Sequence, residues 1–239
     1  IHGGGIDLKF PHHEDERAQS EMATGKTFAR YWLHNGHIRI NQEKMSKSLG
    51  NFFTIKEIFT KYNPLVVRYF LLSTHYRMPI EFSDDLLEQA KQSLERLHDF
   101  MRRLKNETPA DHSTASIKSL LNKTQNDFEA AMDNDFEIAE ALAAIFGSIK
   151  EINILLNARE LSRTDINLIF SLFCKFDSVL AVLAISDNVG KDMEKMIHER
   201  SNARKNGDFK KSDEIRDELA KRGIVLEDTK EGTVWKRVL

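Results

Sequence analysis

Cysteine is nearly missing from this chain: Cys174 is the single one in 239 residues. A disulfide framework within the chain is thereby excluded, and the usage fits a reducing compartment. Long apolar runs are also lacking, and no leader-like stretch is visible, so neither a membrane helix nor a secretory signal is expected. Nor is there an excess of one charge: 35 Lys and Arg against 37 Asp and Glu leave a net −2. No global basic field announces nucleic acid, and any contact with RNA has to use local patches. What remains is ordinary for a globular protein, with 41% hydrophobic and 30% charged residues and a length that allows one or two domains. Cys174 itself lies in an apolar helical run, Ile169 to Phe176, where a small buried core residue is expected.

The pattern changes along the chain. Residues 1 to about 53 are rich in Gly and His with short apolar pieces such as Gly36 to Ile40, which suits loops and strands at the edge of an α/β sheet. From Thr54 the signals are helical. Thr54 with Glu57 three residues on makes a capping box. Pro64 can open the next helix, with Val67, Phe70 and Leu71 on one side. Ser83 precedes a long amphipathic helix whose stripe reads Leu86, Leu87, Ala90, Leu94, Leu97, Met101 and Leu104. After a loop around Asn106 to Ser113, helices are expected from Asn134 (stripe Phe136, Ala139, Leu142, Ile145, Phe146, Ile149) and from Ser162 (Ile166, Ile169, Phe170, Phe173, Leu180). Long helices with short links indicate a bundle. Ser186 to Gly190 reads as a second boundary, followed by a helix around Met193 to Arg204, a break at Asn206-Gly207-Asp208, a helix from about Phe209 to Lys221 stopped at Arg222-Gly223, and a hairpin around Lys230-Glu231-Gly232.

Chemistry concentrates in two stretches. Lys44-Met45-Ser46-Lys47-Ser48, followed by Leu49-Gly50, places two lysines three residues apart among hydroxyls and ends on a glycine. An ammonium is a compact point charge on a flexible stem, so this is a mobile clamp for polyphosphate. The other stretch is His2-Gly3-Gly4-Gly5-Ile6-Asp7, then Phe10-Pro11-His12-His13-Glu14-Asp15-Glu16. Three glycines let a backbone lie against a ligand, and Asp7 can accept from ribose hydroxyls or an ammonium. If Pro11 opens a helix, His12 and Glu16 at i and i+4 share one face, an imidazole–carboxylate half-site for Zn²⁺. From composition alone an acidic helix start with two surface histidines explains the same residues. The chain also begins at Ile1 without a methionine, already inside this motif, as expected of a piece whose natural beginning lies elsewhere.

The pentapeptide resembles the KMSKS signature of class I aminoacyl-tRNA synthetases. Together with Gly3-Gly4-Gly5-x-Asp7-Leu8-x-Phe10-Pro11-His12-His13-Glu14-x-Glu16, the run Tyr31-Trp32-x-His34, and the terminal Gly223 to Asp228 with Gly232-Thr233-x-Trp235, it is similar to the cysteinyl-tRNA synthetase family over essentially the whole chain. That resemblance implies an α/β remnant of a Rossmann-type catalytic domain (1–82, with the KMSKS loop), a mainly α-helical bundle (83–187) and a small α+β anticodon-binding module (188–239). It implies a cysteine–tRNA ligase that activates L-cysteine with ATP (as its Mg²⁺ complex) and passes it to cysteine tRNA, as a cytoplasmic monomer that does not engage a membrane. Lys47 and Lys44 would bind the phosphates, Gly3, Gly4 and Asp7 would line the adenosine side, and His2, Trp32 and His34 would close around the cysteine. His12 and Glu16 match two zinc ligands of the family, whose others are cysteines from upstream segments. A His-Ile-Gly-His-type motif, the family's other nucleotide element, does not occur in these 239 residues, so the chain alone is expected not to form the adenylate.

In the terminal module Arg204, Lys205, Lys210 and Lys211 can meet phosphates, and Phe209 at a helix start can stack on an unpaired base. By resemblance Arg204, Phe209, Asp213 and Asp228 contact the anticodon, although the family has a tryptophan where this chain has Phe209. Two rivals stand beside this reading: a non-catalytic tRNA-binding fragment or paralogue, and a ligase joining cysteine to an amino sugar in mycothiol synthesis. Residues 190 to 239 argue against the second, which lacks such a module.

Overall fold

A computed structural model describes residues 1–40, 43–45, 53–110, 116–183, 191–221, 224–229 and 232–237; of Lys44, Lys191, Glu194, Lys205 and residues 227–229 and 232–237 the backbone alone is described. Lys47, the boundary at 186–190 and the helix stop at 222–223 lie outside the described residues. The chain forms two compact units, Ile1–Leu183 and Ala184–Leu239.

The first unit starts with β1 (His2–Gly5), which pairs in parallel with β2 (Trp32–Asn35), His2 opposite Trp32 and Gly4 opposite His34. A short 3-10 turn (Ile6–Leu8) and a wide turn (Lys9–His13) fold the chain back before α1 (Glu14–Thr24). Pro11 therefore stands inside the wide turn and not at the first helical position expected of it. Three acids, Glu14, Asp15 and Glu16, occupy the first turn of α1, where the helix dipole favours them, and Gly25 ends it with φ +63. A second sheet has the order β4-β3-β5, from β3 (Ile38–Ile40), β4 (Glu43–Lys44) and β5 (Ile80–Glu81). β4 runs antiparallel to β3 with Lys44 opposite Arg39, and β5 runs parallel to it.

The helices follow their caps. α2 (Ile55–Ile58) starts at the Thr54–Glu57 capping box, and α3 (Pro64–Leu72) starts with Asn63 Oδ1 accepting from the Leu65 N–H. α4 (Asp84–Asn106) is capped by Ser83 and buries Leu87, Ala90, Leu94, Leu97, Phe100, Met101 and Leu104; Leu86 faces outward. α5 (Ser116–Asp133), which has no counterpart among the sequence expectations, buries Ile117, Leu121 and Phe128. α7 (Arg163–Leu180) begins at a Ser162–Asp165 capping box and buries Ile166, Ile169, Phe173 and Leu180. Phe173 lies between Phe100 and Phe176, with centroids at 4.9 and 5.8 Å. Cys174 is half-buried, not a core residue, because Phe173 takes the inward position beside it.

The helix expected from Asn134 starts later, and its expected stripe is met in part: Leu142, Ile145 and Ile149 are buried, whereas its first two members are not. Asp135 and Phe136 have φ of +55 and +60, so the chain makes a left-handed corner. α6 runs Ile138–Ala158 with Ile138, Ala141, Ile145, Ile149, Ile152 and Leu156 buried, while Phe136 and Ala139 are exposed.

At the end of this unit, the Arg68 Nε donates to the Leu180 carbonyl at 2.7 Å. His98 Nε2 lies 2.9 Å from the Val182 carbonyl and can only donate to it. The Asp177 carboxylate accepts the Val182 and Leu183 amides at 2.7 and 2.8 Å.

The second unit contains α8 (Lys191–Lys205), α9 (Phe209–Lys221) and a hairpin of β6 (Ile224–Thr229) and β7 (Gly232–Arg237). Gly207, at φ +77, makes the turn between its helices, and the Asp208 carboxylate accepts the Lys211 amide at 3.1 Å as a cap. Leu219, Ile224 and Leu226 form its core, with Met193, Met196, Ile197 and Ile215 packed against them. Among the described residues, no helix is long and apolar enough to cross a membrane.

Candidate functional site

The site forms where the first turn of α1 is brought back over the paired strands β1 and β2. Alternation along a strand sends side chains two apart to one face, and the in-register pairing puts His2 beside Trp32, with centroids 5.0 Å apart. Phe28 closes on the His2 ring at 5.0 Å. The His2 Nε2 then reaches Glu16 Oε2 at 2.9 Å. His13 is 4% exposed and lies edge-on to His2, with centroids 4.6 Å apart. Its Nδ1 is 2.9 Å from His34 Nε2, and His34 stacks parallel to Trp32.

The ligand atoms of His2, His13 and Glu16 all lie within 4.8 Å of one another. His12 stands on the rim: it is exposed, and its Nε2 is 3.6 Å from the other Glu16 oxygen. The sequence pair His12–Glu16 is thus present, but Glu16 is shared with two histidines that spacing alone does not connect to it. His2 arrives from a strand and His13 from the wide turn, and only the β1–turn–α1 path joins them. The signal that pointed that way was the density of histidine in the first 34 residues.

Imidazole nitrogens with a carboxylate oxygen are a donor set that suits zinc, so the residues present fit that ion. A metal held through the Nε2 of His13 requires its Nδ1–H to donate to His34, an outer hydrogen bond that fixes the tautomer, made here to an imidazole and not to the more usual carboxylate, carbonyl or water. Burial, then the neighbouring charges of His13, Lys9, Arg77 and His2, lower the pKa of His34 and favour its neutral form. Gly4 makes room for this: a Cβ there would meet His13 Cε1 and Leu8 Cδ1 at 3.0 Å. Gly3 faces Leu33 instead, and a Cβ at Gly5 would collide with the carboxylate of Asp7, which is exposed.

The start of the lysine clamp is fixed by backbone pairing. Lys44 sits on β4 opposite Arg39, and the Met45 amide donates to the Ile38 carbonyl at 2.9 Å. In the second unit Arg204, Phe209 and Asp213 are exposed on α8 and α9, Phe209 at 64%, and Asp228 pairs with Thr233 in the hairpin.

Solved structures with this fold include the Agrobacterium radiobacter K84 agnB2 LeuRS in a ternary complex with tRNA and LeuAMS. It aligns at TM-score 0.59 over 77% of this chain and 25% of that one, at 21% identity. Mycobacterium tuberculosis methionyl-tRNA synthetase aligns at TM-score 0.50 over 76% of this chain and 40% of that one, at 19% identity. The fold is that of class I tRNA synthetases. Three family models match in order along the chain: the catalytic domain of class I (C) tRNA synthetases over 1–92, the DALR domain over 127–184, and the cysteinyl-tRNA ligase anticodon binding domain over 187–235. Cysteine–tRNA ligases of Bacillus cytotoxicus and Halorhodospira halophila are 45% and 43% identical across 99% of the chain. On these matches the chain belongs to the cysteinyl-tRNA synthetase family. It spans about half the length of the curated relatives it matches, 52% and 51% of those two.

Proposed function

We propose that this chain is part of a cysteine–tRNA ligase, which joins L-cysteine to ATP with release of pyrophosphate and then passes the cysteinyl group to cysteine tRNA. The observation that supports this most is the convergence of His2, His13 and Glu16 within 4.8 Å inside the segment matched by the catalytic-domain model. With His12 beside them, these residues would hold zinc, which binds a thiolate in preference to a hydroxyl and so favours cysteine over serine. His2, Trp32 and His34 would close around the amino acid. Gly3, Gly4 and Asp7 would face the adenosine, leaving the α-phosphate open to the cysteine carboxylate.

In that attack the carboxylate oxygen bonds to the α-phosphorus and the bond to the pyrophosphate oxygen breaks, so negative charge grows on the leaving group. Lys47, assisted by Lys44, meets that charge, and cations aimed there lower the barrier more than they tighten ground-state binding. Arg204, Phe209, Asp213 and Asp228 would contact the anticodon, phosphates through the cation and an unstacked base through the ring. The protein would act as a monomer.

The test uses a protein of the length of the relatives. It should catalyse cysteine-dependent ATP–pyrophosphate exchange, and Lys47→Ala should slow single-turnover adenylate formation by about 10²-fold, the equivalent of about 3 kcal/mol. An unchanged rate in the variant removes the role of Lys47. Absence of exchange with cysteine in the parent removes the ligase reading.

A further inference from the structure

Three consecutive side chains in the turn after α3 converge on one distant residue, Asp135, 58 positions beyond Arg77. His75 Nε2 donates to its carbonyl at 2.9 Å and the Tyr76 hydroxyl donates to Oδ1 at 2.7 Å. The Arg77 fork takes both carboxylate oxygens, Nε to Oδ2 at 2.6 Å and a terminal nitrogen to Oδ1 at 3.0 Å. Bidentate pairing of this kind fixes orientation as well as distance. The Arg77 guanidinium also lies 5.1 Å over the Tyr76 ring, and Tyr76 meets Phe136 edge-on at 6.2 Å. Hydrogen bonds from Arg77 and then Tyr76 hold the Asp135 carboxyl down at about 2.

The receiving corner is strained. Asp135 and Phe136 both have left-handed φ; aspartate tolerates that region, but a bulky residue such as Phe136 adopts it only where the surroundings impose it. A corner that served only to join two helices would be met more easily by glycine.

The opposite side of the same turn touches both halves of the site. The Tyr76 carbonyl accepts the Gly36 amide at 2.7 Å, two residues beyond His34. The backbone at Met78 lies so close to Gly36 that any Cβ there would overlap the Met78 carbonyl. The Ile80 amide donates to the His37 carbonyl at 2.9 Å and that of Phe82 to the Arg39 carbonyl at 2.7 Å. This docks β5 on β3, the strand that pairs with Lys44. One turn thus connects Asp135 to the strand end bearing His34 and to the sheet from which the lysine clamp departs.

We propose that Asp135 is a positioning residue for the adenylation site: through the His75–Tyr76–Arg77 turn it fixes how the histidine-bearing strand and the clamp-bearing sheet stand relative to each other. The inference rests on the ligase reading for its functional meaning, while its mechanical content belongs to this chain alone. A clasp that merely stabilised the fold would loosen every element equally when cut. A positioning clasp loosens the two strands it seats.

Amide hydrogen exchange on the 239-residue chain separates these. Asp135→Ala should speed exchange at Gly36 and Ile80 by about 10-fold or more while Ile169 and Phe173 in α7 keep their rates. Asp135→Asn, which retains an acceptor for Tyr76, and Arg77→Lys, which retains the charge without the fork, should fall between parent and Asp135→Ala. Unchanged exchange at Gly36 and Ile80 overturns the proposal, and so does the same acceleration at all four amides. In a protein of the relatives' length, Asp135→Ala should lower kcat of cysteine-dependent pyrophosphate exchange about 10-fold, with KM values moved by less than about threefold. A normal kcat overturns the positioning role. If the parent shows no such exchange, it is the ligase reading that fails, and the amide rates alone decide what the clasp does.

Discussion

Replacing Gly4 with alanine should damage the site while leaving the fold standing. The added Cβ would lie 3.0 Å from His13 Cε1, 3.0 Å from Leu8 Cδ1 and 3.2 Å from His13 Nε2. Comfortable carbon contacts need about 3.5–4.0 Å, so the buried His13 ring has to withdraw by about half an ångström. That stretches its 2.9 Å hydrogen bond to His34 towards the limit at which such a bond still counts. It also exceeds the ~0.2 Å latitude of metal-donor distances.

Stability should hardly register the change. Gly4 is not among the residues with positive φ, so alanine there restricts the unfolded chain and stabilises by about 0.4–1 kcal/mol. Overpacking costs about 1–3 kcal/mol before the ring moves and relieves part of it. The net effect lies within about 1 kcal/mol, whereas with His13 as a zinc ligand, as proposed, loss of its supporting hydrogen bond should cost about 10–100-fold in metal affinity. Zinc titration followed by imidazole ¹⁵N resonances measures both the affinity and the His13–His34 bond, and urea unfolding measures stability. Gly3→Ala is the control, since its Cβ would face the Leu33 carbonyl at 3.3 Å and not His13. Equal zinc affinity in Gly4→Ala and parent, or equal losses in the two alanine variants, would refute the reasoning.

Other outcomes follow from elements farther away. Burial lowers the pKa of His98 below its ordinary 6.5, with its bond to the Val182 carbonyl and the charges of Asp177 and Asp99 opposing and Arg102 adding to the effect. The neutral ring is therefore the folded form: its contribution is complete above pH 6.5 and is lost as pH falls through the lower, folded value. Urea midpoints of parent and His98→Gln should converge as pH drops from 7.5 to 5.5 (roughly that window), and parallel curves would exclude the effect. For RNA, Phe209→Ala should weaken binding of an unstructured anticodon-loop oligonucleotide by about 1–3 kcal/mol, read by fluorescence anisotropy at fixed salt, while an unaffected Kd would remove the stacking role.

Much of the helical architecture was legible because it is written locally. Thr54 with Glu57, Pro64, Ser83, and Ser162 with Asp165 each open the helix that the local sequence announces. Asn134 looks like a cap for the same local reason, but Asp135 is taken by Arg77 from a distant turn, and the corner delays the helix to Ile138. α5 leaves a fainter mark in the sequence, because its buried residues include Thr124 and Ala131, which thin the apolar stripe. In the site, His12 and Glu16 were legible as an i,i+4 pair. His2 and His13 join them only through a parallel strand pairing and a wide turn, neither of which leaves a mark in local spacing.

The small core of the second unit has a thermodynamic consequence. Leu219, Ile224 and Leu226 are its buried hydrophobic centre, in a unit spanning 184–239. A module of that size folds with little free energy to spare. If it binds RNA as proposed, its folded fraction is then set as much by that ligand as by its own packing. A partner that binds only the folded form, at a hundred times its Kd, adds about 2.7 kcal/mol. Calorimetry of the chain should therefore show a low-temperature transition that climbs with added ligand while that of residues 1–183 stays fixed, making the melting curve itself a binding isotherm.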